Sequence, residues 1–436
     1  MYEAEQRAEF DLLMESQFWP IDRIVDLQRQ RLEKLLRHTR ADVPFYAKRL
    51  DVLFRADGEI DWSRWRELPI VKREDLRNHR RALLARRVPE GHEDIADIST
   101  SGSTGRPATT SHSHLALELT KASVFRANMN DKVDFSRPLG AWAGERANEA
   151  PWPDGRRGGR WGPWWDETAA AGETFTLTHV APAAQALEFL SRHEVRYALM
   201  GGTDARLLAY EAQRLGTRFS LDGIFTRGTD PTELGTQLVA EVFGARTLPL
   251  YSSKEGHRIA HRCPDCGRWH VNDEQVIVEI LDDDNTPVAP GKSGRVVVTP
   301  LWSYAQPLIR YEQGDFATRG EPGLCRRRLS SIDAIVGRVR HMFLLPDGSR
   351  IVPTLTPAAV IALNAEMFQV AQVSRDVVEV RYIPLSNGRM VNLQPAEDEL
   401  TAQLGRALTT SFRPVPSFDV PPGRKHIEFL SELDLN

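Results

Sequence analysis

Residues 98–107 read ISTSGSTGRP. Thr100, Ser101, Gly102, Ser103, Thr104, Gly105 and Arg106 combine backbone amides that glycine lets turn inward, hydroxyl donors and one cation. Those are the three things a chain of phosphates needs from a protein. A P-loop requires Gly-Lys-Ser/Thr opening a helix, and Arg-Pro stands in that place here, which argues against a P-loop kinase. Taken alone, such a run is more often a solvated turn, so its surroundings decide.

The cysteines form a second constellation. CPDCGRWH sets Cys263, Cys266 and His270 at Cys-x2-Cys-x3-His, a spacing suited to a tetrahedral Zn²⁺ knuckle. Cys325 in GLCRRRL lies beyond two strands that would carry the chain back, and completes a Cys3His set. His261 and His257 are alternatives, since strand alternation places both on one face with Cys263. Four protein ligands close such a site to water, so the zinc is expected to be structural. Three cysteines are too few for a disulfide framework.

Ile21, Val25, Leu32, Leu35 and Leu36 share one face at helical spacing, which predicts an amphipathic helix over 20–39. Between about 95 and 310, helical runs such as PAAQALEFLSRH (182–193) and PTELGTQLVAEVFG (231–244) alternate with short apolar runs such as YALMGG (197–202) and DGIFTRG (222–228). That alternation argues for α/β layers. The β-branched runs QVIVEIL (275–281) and GRVVVTPL (294–301), joined by a DDDN turn, read as strands of a β subdomain. After Gly337 come an Asp347-Gly348 hairpin signal, a helix in TPAAVIALNAEMF, the strand VVEVRYIP and a helix in DELTAQLGRALTTSF.

The expected fold class is therefore α/β: a large multi-layer N-terminal body with a β subdomain, and a smaller α+β C-terminal domain. Residues 1–336 form the body (helical entry 1–80, β subdomain about 257–335) and 337–436 the second domain. The charge is 56 basic against 60 acidic residues, net -4, so there is no general electrostatic reason to bind nucleic acid or an anionic membrane. No apolar run approaches the roughly 20 residues of a membrane span, and MYEAEQRAEF lacks the apolar core of a secretion signal, so the expectation is a cytoplasmic protein. A homodimer fits the general habit of soluble enzymes.

In this context the glycine-rich run resembles the phosphate loop of the adenylate-forming superfamily, within it the phenylacetate-CoA ligase-like branch. VPFYAKRL (43–50) and LPIVKREDL (68–76) resemble that branch's entry segments. RGTDP (227–231) is similar to its adenine-contacting Gly-x-Glu-Pro, YSSKEG (251–256) to its Tyr-x-x-Thr-Glu, YEQGDFA (311–317) to its Tyr-x-x-Gly-Asp, and IVGRVRHMF (335–343) to its hinge Gly-Arg. The resemblance implies a body with a mobile lid of about 100 residues. It also implies ATP-dependent activation of a carboxylic acid, aromatic acids being among the candidates, through an acyl adenylate, followed by transfer to coenzyme A. Alternatives are transfer to an amine or carrier-protein thiol, and a catalytically silent relative that binds nucleotide or acyl ligand.

Carried onto this chain, the resemblance makes Thr100 to Gly105 and Arg106 the phosphate contacts, and places Gly228, Thr229, Asp230 and Pro231 at adenine. Tyr251 stacks on the base beside Ser252 and Ser253, Asp315 accepts from both ribose hydroxyls, and Arg338 adds a charged donor. Glu255 holds Mg²⁺, a hard cation that prefers carboxylate oxygen. Lys425 in PPGRKHIEF is the candidate lid lysine, with Arg424 close in register. Four places depart from the pattern: Arg106 for the usual Lys, Asp230 for Glu, Lys254 for Thr, and Val339-Arg340 for an acidic hinge pair.

Other features stay outside this scheme. EAPWPDGRRGGRWGPWW (149–165) reads as an irregular insert, either receiving an aromatic acid or a CoA phosphate with Arg156, Arg157 or Arg160, or covering the body with its indoles. His112 and His114 in SHSH read as solvated turn histidines.

Overall fold

The computed structural model describes residues 2–99, 108–143, 149–165, 172–227, 233–323, 325–338, 342–351, 353–385, 390–405, 408–418 and 426–433. Its contacts group the chain into two compact units, one of Met1–Val133, Pro163–Asp166 and Leu250–Val336, the other of Asp134–Gly162, Glu167–Pro249 and Gly337–Asn436.

The first unit opens with α1 (Glu3–Ser16) and α2 (Ile21–Asp42), then α3 (Arg73–Asn78) and α4 (Arg80–Leu83). The helix expected over 20–39 is α2, and it buries Ile24, Leu32, Leu35, Leu36 and Thr39. Ile21 is 48% exposed, because Ile24 one turn later fills the inward position. β1 (Ile95–Ser99) pairs antiparallel with β2 (Thr109–Ser113), with Ser99 opposite Thr109. The glycine-rich run thus links two strands of a hairpin, and helix α5 (His114–Asn130) starts only after β2, where the Ser113 hydroxyl accepts from the amide of Ala116.

The second unit carries β3 (Leu139–Trp142), β4 (Arg156–Arg160), β5 (Glu173–Leu177), α6 (Ala183–Arg192), β6 (Tyr197–Met200), α7 (Gly202–Leu215), β7 (Gly223–Thr226), α8 (Glu233–Phe243) and the first residues of β8 (Arg246–Ser253). The sheet order is β4-β5-β3-β6-β7-β8, parallel except for β4, which pairs antiparallel with β5. The 149–165 stretch is therefore not wholly irregular. Its RRGGR forms an edge strand whose Arg157 pairs with Glu173, and the two glycines hid that strand from a propensity reading. Its indoles do cover apolar surface: Trp161 lies against Phe135 and Tyr197, and Trp165 against Phe10 and Phe125.

From Leu250 the chain is back in the first unit. β8 pairs with β9 (His257–Arg262), and β10 (Trp269–Val271), β11 (Val276–Leu281), β12 (Ser293–Pro300), β13 (Tyr311–Arg319) and β14 (Ser331–Arg338) complete the order β11-β12-β13-β14-β10-β9-β8. The pairings of β8 with β9, β9 with β10, β10 with β14, β11 with β12 and β12 with β13 are all antiparallel. The DDDN cluster is a turn in which the Asp282 carboxylate accepts from the amides of Asp284 and Thr286. Leu35, Leu36, Val71, Ile259, Val296, Val298 and Tyr311 share this unit's core.

The last hundred residues form β15 (Phe343–Leu344), β16 (Arg350–Ile351), α9 (Pro357–Leu363), β17 (Ala365–Gln372), β18 (Val377–Pro384), α10 (Gln394–Leu404), β19 (Thr409–Pro414) and β20 (Phe429–Ser431), with sheet order β19-β18-β17-β20. The Asp347-Gly348 hairpin is present, with Gly348 at φ +84°. The two helical runs are shorter than their sequences suggest. Asn364 at φ +44° ends α9 so that AEMF begins β17, and Gly405 ends α10 so that TTSF lies in β19. These residues share a core with the parallel layer, where Phe343, Leu363 and Phe368 cluster with Leu187 and Leu208, and buried Arg206 of α7 bonds Glu428 at 2.5 Å. No helix among the described residues is long and apolar enough to cross a membrane.

A buried charge network pins the N-terminal helices. Arg126 of α5, fully buried, donates to Glu274 and to Asn272, each at 2.7 Å, and Ser16 donates to the same Glu274 oxygen at 2.5 Å. Removing one member strands the other charge in low dielectric. Arg126→Ala is expected to cost about 3–5 kcal/mol in denaturant unfolding, and the double change Arg126→Met with Glu274→Met is expected to recover much of that loss.

Candidate active site and metal centre

β8 delivers the YSSKEG segment. Tyr251 is buried and donates its hydroxyl to Asp315 Oδ2 at 2.8 Å. Asp315 lies on β13, where alternation turns Tyr311, Gln313, Asp315 and Ala317 inward. Its carboxylate is 8% exposed. A register shift between Tyr251 and Ser252 interrupts the pairing with β9, which resumes with Ser252 opposite Arg258 and Ser253 opposite His257, and the Ser253 hydroxyl accepts from the amide of Gly256 at 2.6 Å. A Cβ at Gly256 would stand 2.5 Å from the Gln313 amide nitrogen and 2.9 Å from that hydroxyl, so a larger residue would displace both. Lys254 donates its ammonium to the carbonyl of Ser99, the last described residue before the glycine-rich run. Ser99 and Thr109 bond through their hydroxyls at 2.9 Å, closing the base of that hairpin. Glu255 follows, 7% exposed.

Two histidines lie close by. His112 and His257 meet edge to face at 4.5 Å between ring centroids, His112 bonded to Thr110 Oγ1 and His257 to Ser303 Oγ. His112 is 2% exposed, so it is no solvated turn residue; β2 is buried on both faces from Thr110 to Ser113. Burial drops the His112 pKa to about 4 and holds that of His257 well below the imidazole range, so both rings are neutral. A strand this polar, buried on both faces, gives no periodic signal in the sequence that would have found His112. His114 is exposed, 3.9 Å from Asp94.

Of the residues expected at the nucleotide, Tyr251, Ser252, Ser253, Glu255 and Asp315 are described, and the Tyr251–Asp315 and Lys254–Ser99 bonds bring three of the spaced segments together. Thr100, Ser101, Gly102, Ser103, Thr104, Gly105, Arg106, Gly228, Thr229, Asp230, Pro231 and Lys425 lie outside the described residues, as does the side chain of Arg338.

The cysteine constellation assembles in the first unit. One donor atom each from Cys263, Cys266, His270 and Cys325 lies within 4.8 Å of every other. The Cys263 and Cys325 sulfurs are 3.9 Å apart, and Cys266 Sγ is 3.5 Å from His270 Nε2. Tetrahedral Zn²⁺ with Zn–S about 2.3 Å and Zn–N about 2.0–2.1 Å requires edges of about 3.8 and 3.6 Å. His270 Nδ1 sits 3.3 Å from the Leu329 carbonyl, which fixes the tautomer that leaves Nε2 for metal. Arg327 donates to Cys263 Sγ at 3.4 Å. Burial, with the neighbouring Cys263, pushes the Cys266 thiol up to about 12, a cost that a bound cation would reverse. Of the two alternatives, His261 lies 6.4 Å from His270 ring to ring and His257 bonds Ser303; neither joins the four.

The mixed α/β fold with its large sheet matches the structures of adenylate-forming enzymes. A 2-hydroxyisobutyryl-CoA ligase solved with an acyl adenylate superposes with TM-score 0.72 at 17% identity, covering 96% of this chain and 93% of that one, and an anthranilate CoA ligase solved with anthranoyl-AMP with TM-score 0.55 at 15% identity, covering 77% and 66%. In sequence, the phenylacetate-coenzyme A ligase of Thermus thermophilus is 26% identical over 370 residues, 79% of this chain and 76% of that protein. The Escherichia coli enzyme of the same name is 25% identical over 339 residues, 74% of this chain and 73% of its own. No family model matches the chain. The resemblance to the phenylacetate-CoA ligase-like branch thus extends over most of the sequence.

Protein purified without added metal is expected to carry about one equivalent of zinc, and stripping it is expected to lower the melting temperature by about 5 °C or more. A metal-free sample melting at the same temperature would remove the zinc assignment.

Proposed function

We propose that this chain activates a carboxylic acid with ATP, releasing pyrophosphate and forming an acyl adenylate, and then transfers the acyl group to coenzyme A. The observation that carries the reading is the contact of Tyr251 with Asp315, since it joins two motif segments 64 residues apart into one site. Tyr251 holds the Asp315 carboxylate in place, Asp315 accepts from the ribose hydroxyls, and the ring of Tyr251 offers a flat wall to adenine. Thr100 to Gly105 and Arg106 hold the phosphates, Gly228 to Pro231 border the base, and Arg338 adds a donor. Glu255 would hold Mg²⁺, which would neutralise phosphate charge. Attack of the substrate carboxylate on the α-phosphorus builds charge on phosphoryl oxygens, where Arg106 and Lys425 act as positioned cations. Residues 337–436 act as the lid, turning at Gly337 between the two half-reactions. Zn²⁺ at Cys263, Cys266, His270 and Cys325 staples the β subdomain and takes no part in the chemistry. The reading assigns the enzyme to the cytoplasm, which supplies ATP and keeps the three cysteines reduced and open to metal.

Pyrophosphate release is to be followed with phenylacetate, 2-hydroxyisobutyrate and anthranilate, with and without coenzyme A. Release with at least one acid and a thioester product that requires coenzyme A are expected; a CoA-independent product indicates another acceptor, and no release with any acid sinks the reading. Asp315→Ala is expected to raise the KM for ATP by about 10–100-fold, the loss of one or two charged hydrogen bonds, with a much smaller change in unfolding free energy. Equal losses in binding and stability would count against the ribose role.

A further inference from the structure

Gln313 is a buried amide that the reading above leaves without a task. β12 and β13 pair one to one at both ends, with Arg295 opposite Phe316 and Val297 opposite Glu312, so Gln313, Gly314 and Asp315 together stand opposite Val296 alone. β13 therefore bulges at these residues, and Gly314 takes the bend at φ +76°, a conformation that strains a residue with a Cβ. Two extra residues leave the alternation intact, which keeps Gln313 and Asp315 both on the inward face. Bulges of this kind re-aim side chains beside functional sites. Here the two inward side chains meet the two ends of one segment. Asp315 takes the Tyr251 hydroxyl, and Gln313 Nε2 lies against Gly256, 2.5 Å from where a Cβ there would stand. Gln313 is 9% exposed, and its Nε2 has no hydrogen-bond partner among the described residues. Ser253 Oγ, on the same turn, accepts from the Gly256 amide instead. The Glu255 carboxylate, also buried, meets no partner among the described residues either. A buried donor left without an acceptor is costly, and such groups stand where a ligand supplies the missing bond.

We propose that the Gln313 amide donates to an oxygen of the α-phosphate, in ATP, in the acyl adenylate and in AMP. The proposal rests on the reading of Asp315 as the ribose acceptor. The α-phosphate is the group joined to that ribose, and Gln313 is the inward neighbour of Asp315 on the side that meets the Glu255 turn. One corner of the first unit thus offers an amide donor for a phosphoryl oxygen and a carboxylate for the cation that balances it. In the first half-reaction an oxygen of the acid bonds the α-phosphorus and pyrophosphate leaves with the bonding pair. The α-phosphoryl oxygens carry negative charge throughout, and a donor fixed by the bulge needs no rearrangement to meet it. A purely structural account, in which Gln313 only fills space beside Gly256, predicts that its loss affects every ligand of the site alike.

Affinities of the full chain for AMP and for adenosine, measured by calorimetry, separate the two accounts, because these ligands share base and ribose and differ in the phosphate. Gln313→Met keeps the length of the side chain and removes the donor. Its preference for AMP over adenosine is expected to fall by about 10–100-fold relative to the unmodified protein, the effect of one hydrogen bond to a charged group. Adenosine is expected to bind as before, and the melting temperature without ligand to hold or rise, since an unpaired buried amide gives way to an apolar chain. Asp315→Ala is expected to weaken both ligands by the same factor and leave the preference unchanged. An unchanged preference in Gln313→Met, or equal affinity of the unmodified protein for the two ligands, overturns the proposal and leaves the nucleotide reading standing. So does a parallel loss of both ligands with a lower melting temperature, which marks Gln313 as structural. Failure of the unmodified protein to bind either ligand overturns both.

Discussion

A carboxylate that is almost wholly buried must be given donors, and Asp315 is the place where that requirement organises the site. One oxygen is satisfied by the Tyr251 hydroxyl. The pair can meet only if β8 and β13 both keep their registers, because a slip of one residue on β13 would turn Asp315 outward and bring its neighbours in. The inward row Tyr311, Gln313, Asp315 and Ala317 therefore ties the apolar core to the polar site: Tyr311 and Ala317 are packed, and Asp315 is held between them. Arg310, just before the row and fully buried, bonds Glu279 and the carbonyls of Arg66 and Leu68, which anchors the strand at that end.

The turn from β8 into β9 is built with the same economy. Gly256 lets the chain pass within contact of Gln313, and His257, at φ +57°, continues a bend that most side chains avoid. The ring of His257 then meets that of His112, and burial holds both neutral. Lys254 takes a position at which the motif resemblance leads to an expected threonine. Its amine reaches the Ser99 carbonyl and links the turn to the base of the glycine-rich hairpin. A hydroxyl would be too short for that link, so the departure has a structural use of its own.

How far the sequence made this legible depends on what each residue answers to. The parallel layer and the helices α2, α6 and α8 were readable because apolar periodicity alone sets them. The metal set was readable because ligand spacing is a local geometric demand, although only the fold could choose His270 over His261 and His257. The Tyr251–Asp315 contact was not: both residues were picked out by their motifs, yet nothing in a motif says that one hydroxyl will occupy one oxygen of the other. The edge strand at Arg156–Arg160 was hidden by its glycines, and the ends of α9 and α10 by apolar runs that continue from helix into strand. Gln313 carried no signal at all, since it fills an unspecified place in the Tyr-x-x-Gly-Asp pattern and only the bulge of β13 shows where its amide stands.

The cysteine–histidine cluster and the N-terminal helices are one mechanical system. Cys325 lies two residues before Arg327, whose guanidinium reaches the Cys263 sulfur, the Asp265 carboxylate and the Gln17 side chain at the end of α1. The Arg328 amide bonds the Gln17 carbonyl at 2.8 Å. A cation held by the four side chains would fix the separation of Cys263 and Cys325, and with it this bridge and the corner between α1 and α2.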